Sequence, residues 1–350
     1  MKATLCLAIG LMVGLSGCEF KTLSNVHMKG MVESKVRTEM ASVVDPGPML
    51  ETPVGPGSDC KTPIACKIAV IDVDGLLSNL NHTGPYSIGE NPLAMFKERL
   101  DAAAADPAVK GVVLRINTFG GGVAASDLMY HELVQFKSAC HKPVVACLLD
   151  VGCGGGYYLA TGCDAIVGLP TGVVGGLGVL LNLYDITGGM KLMPVDDIAI
   201  RSGELVDMGS PARTLKVEEK RLLNSMAHAY HARLVEVVCK ARPNVKHDAA
   251  FFDGRAMTGT EALRVGLLDS VGYLDDAVRL ACQMSKTESA VAVMYRRAGD
   301  AARSLYASTP NRPIHPSTFP MSVPGLERSK MPLFLYMWQV EPGYTRLNGI

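Results

Sequence analysis

The stretch DVGCGGGYY, residues 150–158, follows the apolar run KPVVACLLD, whose last residue it shares, and leads into the segment LATG. An apolar strand, a glycine cluster and a helix in that order predict a sharp strand-to-helix turn of the kind that presents a catalytic nucleophile. Gly154 lies at the centre of this turn and has no side chain with which to attack a substrate. The stretch therefore predicts the turn without its nucleophile.

A second glycine run, residues 120–122, has the same setting, because it follows the apolar run VKGVVLRIN and precedes a helix expected to reach about Lys137. Glycine lets the backbone approach a ligand closely, and the start of a helix points free amides towards that ligand. One amide from each turn aimed at one point would form an oxyanion hole. A phosphate or dinucleotide cradle is the competing interpretation, but neither turn matches GxGxxG in a βαβ frame and no GK[ST] follows.

Short apolar runs alternate with helical patterns from Lys67 onward, which predicts an α/β fold. The predicted strands are KIAVIDVDG (67–75), VKGVVLRIN (109–117), KPVVACLLD (142–150), DAIVGLP (164–170) and GLGVLLNLYDI (176–186). Helices are expected after the N-cap Asn91 and from the capping residue Thr258 to Gly266. A long helix is expected from about Leu215 to Ala241, with its core face formed by Leu222, Met226, Tyr230 and Leu234.

The composition excludes several classes of protein. The 350 residues carry 34 basic and 34 acidic side chains, and no Lys/Arg cluster indicates a nucleic-acid partner. The sequence has no CxxC pair, so we expect no metal site, and nothing in it calls for a cofactor. From about Ser285 the chain becomes rich in proline and aromatic residues, and we expect residues 286–350 to form an extended arm that packs on a neighbour or on the domain's own edge.

The N-terminus is typical of a targeting segment, with Lys2 before an apolar run at 3–15 that is too short to span a bilayer comfortably. The motif LSGC at residues 15–18 resembles a bacterial lipobox, which implies a signal peptide over 1–17 and a lipid on Cys18. Glu19 after the cysteine favours retention in an outer membrane. An ordinary secretory signal is the alternative. Residues 18–65 show no sustained period and are expected to form a flexible tether.

Four segments resemble the signal peptide peptidase A (SppA) family in the order that the family has them. They are RINTFGGGVAASDLMYHEL (115–133), KPVVACLLDVGCGGGYYLATGCDAIVGLP (142–170), RSGELVDMGSPAR (201–213) and FFDGRAMTGTEALRVGLLDSVGYLDDA (251–277). The family consists of serine–lysine peptidases with the ClpP/crotonase-like fold of repeated β-β-α units. The resemblance implies a single domain of catalytic type over 66–285, action on signal-peptide remnants at the membrane, and ring- or dome-shaped oligomers.

The residues that the family uses for catalysis are replaced at the matching positions. The resemblance aligns the nucleophilic serine with Gly154 and the lysine that acts as its base with Val206, and a third polar position, also a serine, with Gly176. It implies that the oxyanion amides belong to Gly120 and Gly155. A serine–lysine mechanism needs both a hydroxyl and a neutral amine, and this sequence supplies neither at these positions.

Two functional hypotheses follow. In the first, the chain is a lipid-anchored pseudopeptidase on the periplasmic face of the envelope, in the outer membrane, that binds peptides, signal-peptide remnants or an active paralogue without cutting them. In the second, it is an active signal-peptide peptidase-like endopeptidase with a relocated nucleophile, for which Cys153 is the candidate. Both hypotheses include assembly into a homo-oligomer or a hetero-oligomer with an active paralogue.

Overall fold

A computed structural model describes residues 49–54, 66–80, 91–192, 196–245, 249–297 and 334–338, together with the backbone of four short strands. The chain divides into two units, Met1–Val44 and Asp45–Ile350. In the first, β1 (Leu23–Asn25) pairs antiparallel with β2 (Lys35–Arg37). The proposed signal peptide and Cys18 lie outside the described residues.

The second unit contains strands β3–β14 and helices α1–α7. The strands are β3 (Leu50–Val54), β4 (Lys67–Leu77), β5 (Thr83–Gly84), β6 (Ser87–Ile88), β7 (Val109–Gly122), β8 (Val144–Cys153), β9 (Ala165–Gly168), β10 (Val173–Gly175), β11 (Ala256–Thr258), β12 (Ser270–Val271), β13 (Val291–Arg296) and β14 (Leu335–Met337). The helices are α1 (Pro92–Ala105), α2 (Val123–Cys140), α3 (Gly155–Ala160), α4 (Thr187–Met190), α5 (Val217–Ala241), α6 (Gly259–Val265) and α7 (Leu274–Met284), with a 3₁₀ turn at Ala249–Phe252.

A ten-stranded mixed sheet forms the framework, with the strand order β11-β10-β8-β7-β4-β13-β3. The strands from β10 to β13 in this order run parallel to one another, and the two ends of the order, β11 and β3, are antiparallel. The strand β8 pairs with β9 along its first half and with β10 along its last residues, so the sheet branches where β8 enters the glycine turn. Strands alternating with helices confirm the predicted α/β class.

The predicted helix caps at both ends of the domain are present. Asn91 accepts hydrogen bonds from the amides of Leu93 and Ala94, with Pro92 in the first turn. Thr258 caps α6, which ends at Gly266 with a φ of +88°. These ends form as expected because a side-chain acceptor satisfies the free amides at a helix start and glycine adopts the left-handed conformation at little cost.

Two elements differ from the sequence prediction. The predicted strand over 176–186 is absent from the described structure, because Gly175 and Gly176 have φ values of +116° and +58° and turn the chain out of the sheet. The predicted core face of α5 is wrong in its first half only: Leu222 and Met226 are exposed, whereas Tyr230 packs against the core and Leu234 is buried. The other buried apolar positions are Leu223, Val237 and Val238. Most of the buried apolar residues of α5 lie in its second half. A pattern of residues four apart that begins at Leu222 therefore misses the buried face in the first half of the helix.

The folded unit also extends beyond the expected boundaries of 66–285. The strand β3 lies within the predicted tether and pairs antiparallel with β13, which itself lies within the predicted C-terminal arm. The strand β13 pairs parallel with β4 on its other edge, so its apolar residues are buried inside the sheet. The sheet is therefore completed by chain segments on both sides of the expected domain.

Candidate functional site

The turn at Gly154 joins β8 to α3, and every residue from Gly152 to Ala160 is buried. Gly154 has a φ of +52°, and its amide donates to the carbonyl of Gly175 over 3.0 Å. Its own carbonyl accepts from the amide of Tyr158 over 2.9 Å and begins the helix. A residue with positive φ between a strand and a helix gives the sharp turn that the sequence predicts.

The first glycine turn lies directly beside the second. A Cβ placed on Gly120, whose φ is +115°, would lie 2.9 Å from the amide nitrogen of Gly155. The amide of Gly120 donates to the hydroxyl of Thr118 over 2.9 Å, so that donor is already engaged. Of the two amides aligned with the oxyanion hole, Gly120 therefore has a partner within its own turn. The two turns nonetheless form one surface with backbone amides and no catalytic side chain.

The C-terminal strand β14 lies across this surface. It pairs antiparallel with the glycine run, so that Leu335, Tyr336 and Met337 lie opposite Gly122, Gly121 and Gly120. The carbonyl carbon of Tyr336 would be 2.7 Å from a Cβ on Gly154 and 2.9 Å from one on Gly120. The site is thus a groove in which an extended peptide segment passes over both glycine turns. Sequence reasoning placed this segment in an arm but did not connect it with the turns.

Cys153 is adjacent to Gly154, but its thiol is completely buried. The Sγ atom lies 3.6 Å from the carbonyl oxygen of Val173, and loss of hydration raises the thiol pKa to about 12. A thiol must ionise to act as a nucleophile, so Cys153 is almost entirely in its unreactive form at neutral pH. Its environment is that of a structural cysteine.

Val206 lies in the loop segment 201–213 with its side chain 69% exposed. Its neighbour Asp207 accepts hydrogen bonds from Arg213 and forms an ion pair of 2.6 Å with Arg201. Arg213 also pairs over 2.5 Å with Glu219, whose side chain is fully buried at the start of α5. This ion-pair network holds the segment while Val206 points to solvent. An amine at position 206 would therefore be hydrated and not placed in an apolar pocket.

Three further observations concern metal ligands, membrane spans and the position of Gly176. Within the described ranges, no group of three or more His, Cys, Asp or Glu side chains is arranged to hold a metal ion. The same ranges contain no helix with the length and apolar character needed to cross a membrane. A Cβ on Gly176, which the resemblance aligns with a third polar position, would lie only 2.5 Å from the Cβ of Trp338, so Gly176 also borders the segment Phe334–Trp338.

The model of Peptidase family S49 matches residues 137–288, a stretch that contains the nucleophile turn and the segment of Val206. A protein of Enterococcus faecium assigned to signal peptide peptidase SppA is 29% identical over 66% of this chain and 67% of its own length. Protease 4 of Salmonella typhi is 29% identical over 63% of this chain, and the match spans only 35% of its length.

Among solved structures, the chain is similar to a variant of the 1510-N membrane-bound stomatin-specific protease in complex with a substrate peptide. The two sequences are 15% identical, and the match covers 61% of this chain and 78% of the protease, with a TM-score of 0.38. The family-model match and the branched α/β sheet agree with the ClpP/crotonase-like class. Over residues 137–288 the chain is thus similar to Peptidase family S49, and over a longer stretch it is similar to proteins assigned to signal peptide peptidase SppA and to Protease 4.

Proposed function

We propose that this chain is a pseudopeptidase of the S49 family that binds extended peptides in the groove over its glycine turns without cleaving them. The observation that carries the proposal is the position of β14, which pairs with Gly120–Gly122 and passes over Gly154. A peptide segment is thus held against the turn by backbone pairing at the place where a nucleophile would act. Strand addition of this kind supplies binding through main-chain hydrogen bonds and needs no catalytic group.

Two features support the absence of cleavage. Gly154 supplies no attacking atom, and Val206 supplies no proton acceptor and faces solvent. Covalent catalysis by this family requires an activated nucleophile beside its base. Aligned backbone amides alone give a small rate enhancement over water but not a useful peptidase.

The alternative is a peptidase that uses Cys153. Its position one residue before the turn favours it, but its burial and raised pKa oppose it. The test is incubation of the purified chain and of Cys153→Ala with a set of signal-peptide remnants, followed by mass spectrometry of the products. The proposal predicts intact peptides with both proteins. Cleavage by the unmodified chain that is lost in Cys153→Ala would establish the alternative, and cleavage by both would place an active site elsewhere.

The proposed ligands are peptides from the membrane, including remnants of signal peptides, because homologues are assigned to that substrate class. Binding is tested by photo-crosslinking a signal-peptide remnant to the unmodified chain and mapping the adducts. The proposal predicts adducts on β7 or on residues 176–180, which border the groove. Adducts confined to surfaces away from these residues would contradict it.

The proposed location is the periplasmic face of the cell envelope, with a lipid on Cys18 and retention in an outer membrane. The motif LSGC after a short apolar run supports it. Mass spectrometry of the mature chain is expected to show residues 1–17 removed and a lipid on Cys18. A mature chain that still contains the bond between Gly17 and Cys18 would exclude this anchor.

We also propose a closed assembly, formed with copies of this chain or with an active paralogue, because members of this family form rings. A groove without catalytic groups would then position or hold peptides beside active subunits. Light scattering at micromolar concentration, with and without such a paralogue, tests the assembly. A monomer mass in both samples would contradict it.

A further inference from the structure

The segment Phe334–Trp338 is paired on both of its edges, as a strand inside a sheet is. On one edge, the amide of Val123 donates to the carbonyl of Phe334 over 3.1 Å, and the amide of Trp338 donates to the carbonyl of Phe119 over 3.0 Å. On the other edge, Leu335 and Leu180 exchange two hydrogen bonds of 2.9 Å. The segment therefore fills a slot between β7 and the chain around residue 180.

Its side chains also fill distinct subsites. The aromatic residues occupy alternate positions: Phe334 packs 5.0 Å from the ring of Tyr230, and Trp338 stacks on Phe119 at 6.2 Å. Between them, Tyr336 packs against Tyr158, and its hydroxyl donates to the carbonyl of Tyr230 over 2.7 Å.

The two aliphatic side chains lie on the opposite face of the strand. Leu335 and Met337 form a buried cluster with Leu76, against which Phe119 and Leu180 pack. The slot thus recognises alternating aromatic and aliphatic side chains in an extended peptide.

The seated strand excludes side chains at two of the positions where the family carries serine. A Cβ on Gly154 would lie 2.7 Å from the carbonyl carbon of Tyr336 and closer still to its oxygen. A Cβ on Gly176 would lie 2.5 Å from the Cβ of Trp338. Neither distance is compatible with non-bonded carbon atoms, which attract only at about 3.5–4.0 Å. The nearest obstacle at each position lies in the segment Phe334–Trp338, although a Cβ on Gly176 would also lie 3.3 Å from the Cβ of Cys153. Serine at either position is therefore incompatible with this segment in its observed place.

We infer that the groove has a resident ligand, the chain's own segment Phe334–Trp338, and that glycine at positions 154 and 176 is what admits it. The loss of the catalytic hydroxyl and the gain of the strand are then one structural change. An outside peptide with alternating aromatic and aliphatic residues binds by displacing this segment. The displacement by an outside peptide rests on the proposed peptide-binding function. The binding of the chain's own segment Phe334–Trp338 in the groove does not depend on that function.

The sequence supplies a reporter for the seating, because Trp338 is the single tryptophan among the 350 residues. Its ring is half-buried and stacked on Phe119, so the folded chain is expected to show blue-shifted emission and weak quenching by acrylamide. Gly176→Ser is expected to shift the emission to the red and raise the quenching constant towards that of the urea-unfolded chain. Gly178→Ser is the matched control, since a Cβ there meets its nearest neighbour, the Cα of Gly254, at an ordinary 3.4 Å.

Serine at position 176 would be strained by the positive φ of Gly176 even without the strand. A second variant is therefore needed that releases the strand without changing either glycine turn. Tyr336→Ala removes a buried side chain and its hydrogen bond to Tyr230, and Trp338 is expected to become exposed while the circular dichroism of the sheet persists. A Trp338 that is solvent-exposed in the unmodified chain would overturn the inference. So would a folded Gly176→Ser and a folded Tyr336→Ala that both keep the emission of the unmodified chain.

Peptide competition separates this inference from the proposed function. The probe is a labelled peptide with the sequence of residues 332–340 in which phenylalanine replaces tryptophan. We expect tighter binding to the full-length Tyr336→Ala chain than to the unmodified one, and red-shifted Trp338 emission when excess peptide is added to the latter. Equal affinity for both chains would overturn the inference. Hydrolysis of the probe would overturn the proposed absence of cleavage and leave the inference intact.

Discussion

The turn around Gly154 and the segment that carries Val206 contain the two positions that the sequence resemblance aligns with the family's catalytic pair, and they differ in burial and in the contacts that hold them. Residues 152–160 are all buried, whereas residues 201–206 are all exposed. The turn is fixed by the backbone of β10, β7 and β14, while the loop segment is held by charges on Arg201, Arg213 and Glu219.

If the chain is the pseudopeptidase that we propose, the difference shows which of the two regions still has a structural task. The backbone of the turn supports the sheet and receives an extended strand, and both tasks need glycine. The loop segment would need to bring an amine to the turn only if a hydroxyl were there to be activated. Without that hydroxyl nothing requires the segment to approach, and its side chain at position 206 faces solvent.

The largest expected loss of stability from a single added methyl group is at Gly121, in the glycine run that lies directly beside the turn at Gly154. A Cβ on Gly121 would lie 2.5 Å from the backbone nitrogen and 2.7 Å from the carbonyl carbon of Leu77 in the neighbouring strand, which cannot move without breaking the sheet. Gly121→Ala is therefore expected to lower the free energy of unfolding by on the order of 3 kcal/mol.

The matched change in the loop segment is Gly203→Ala, where the nearest atom to the new Cβ is a methyl of Val206 at 3.6 Å. Its effect on the free energy of unfolding is expected to stay within ~0.5 kcal/mol. Urea denaturation of both variants measures the difference. Similar losses in the two regions would refute the contrast between them.

A smaller but clear loss of thermal stability is expected when the ion-pair network of the loop segment is broken. Arg213→Met leaves the fully buried carboxylate of Glu219 without its charged partner, which is unfavourable because a buried charge needs compensation. The midpoint of thermal unfolding should fall. Glu219→Gln in the same background should restore part of it.

The control for this network is Arg221→Met. The guanidinium of Arg221 is 78% exposed and lies 3.9 Å from Glu218, so its removal is expected to leave the unfolding midpoint nearly unchanged. If both arginine variants unfolded at the same temperature, the network would not be what holds the segment.

The same network predicts a dependence on pH. Hydrogen bonds from Arg213, with the charges of Arg201 and Arg213, lower the pKa of Asp207 to about 2. A carboxyl whose pKa is lower in the folded chain stabilises the fold above its ordinary pKa, near 4, and loses that contribution as the pH falls through about 2. The difference in unfolding midpoint between the unmodified chain and Arg213→Met should therefore shrink between pH 5 and pH 2. A constant difference over this range would contradict the assigned pairing.

The smallest effect on stability is expected at Val206, the position that the resemblance aligns with the family's base. Val206→Lys places an ammonium in solvent, so the free energy of unfolding should change by less than ~0.5 kcal/mol. Combined with Gly154→Ser, it should give no hydrolysis of a small peptide ester, because a hydrated lysine stays protonated. Turnover by the double variant would show that residues 201–213 close over the turn.

The sequence alone identified the features that depend on local chemistry. Both glycine turns, the cap at Asn91 and the end of α6 at Gly266 follow from backbone conformation and nearby hydrogen bonds, which neighbouring residues determine. The substitutions of the catalytic residues at Gly154 and Val206 stay predictions, because they rest on the alignment of the family motifs.

The elements that were missed depend on partners distant in the chain. The strands β3 and β13 pair with each other although residues 55–290 lie between them, and the short segment 334–338 becomes a strand only because β7 and Leu180 supply both of its edges. A boundary drawn from a change in composition at Ser285 separates these strands from their partners. The exposure of Val206 could not be predicted from the sequence either, because it depends on the ion pairs that Asp207 forms with Arg201 and Arg213.

The absence of an activated nucleophile can be measured by exposing the folded chain to a fluorophosphonate and to a cysteine-directed probe and mapping the adducts by mass spectrometry. We predict no fluorophosphonate adduct on any serine bordering the glycine turns and no labelling of Cys153 until the chain is unfolded. Stoichiometric labelling of Cys153, or of a serine beside Gly154, in the folded chain would show that the groove retains a working catalytic site.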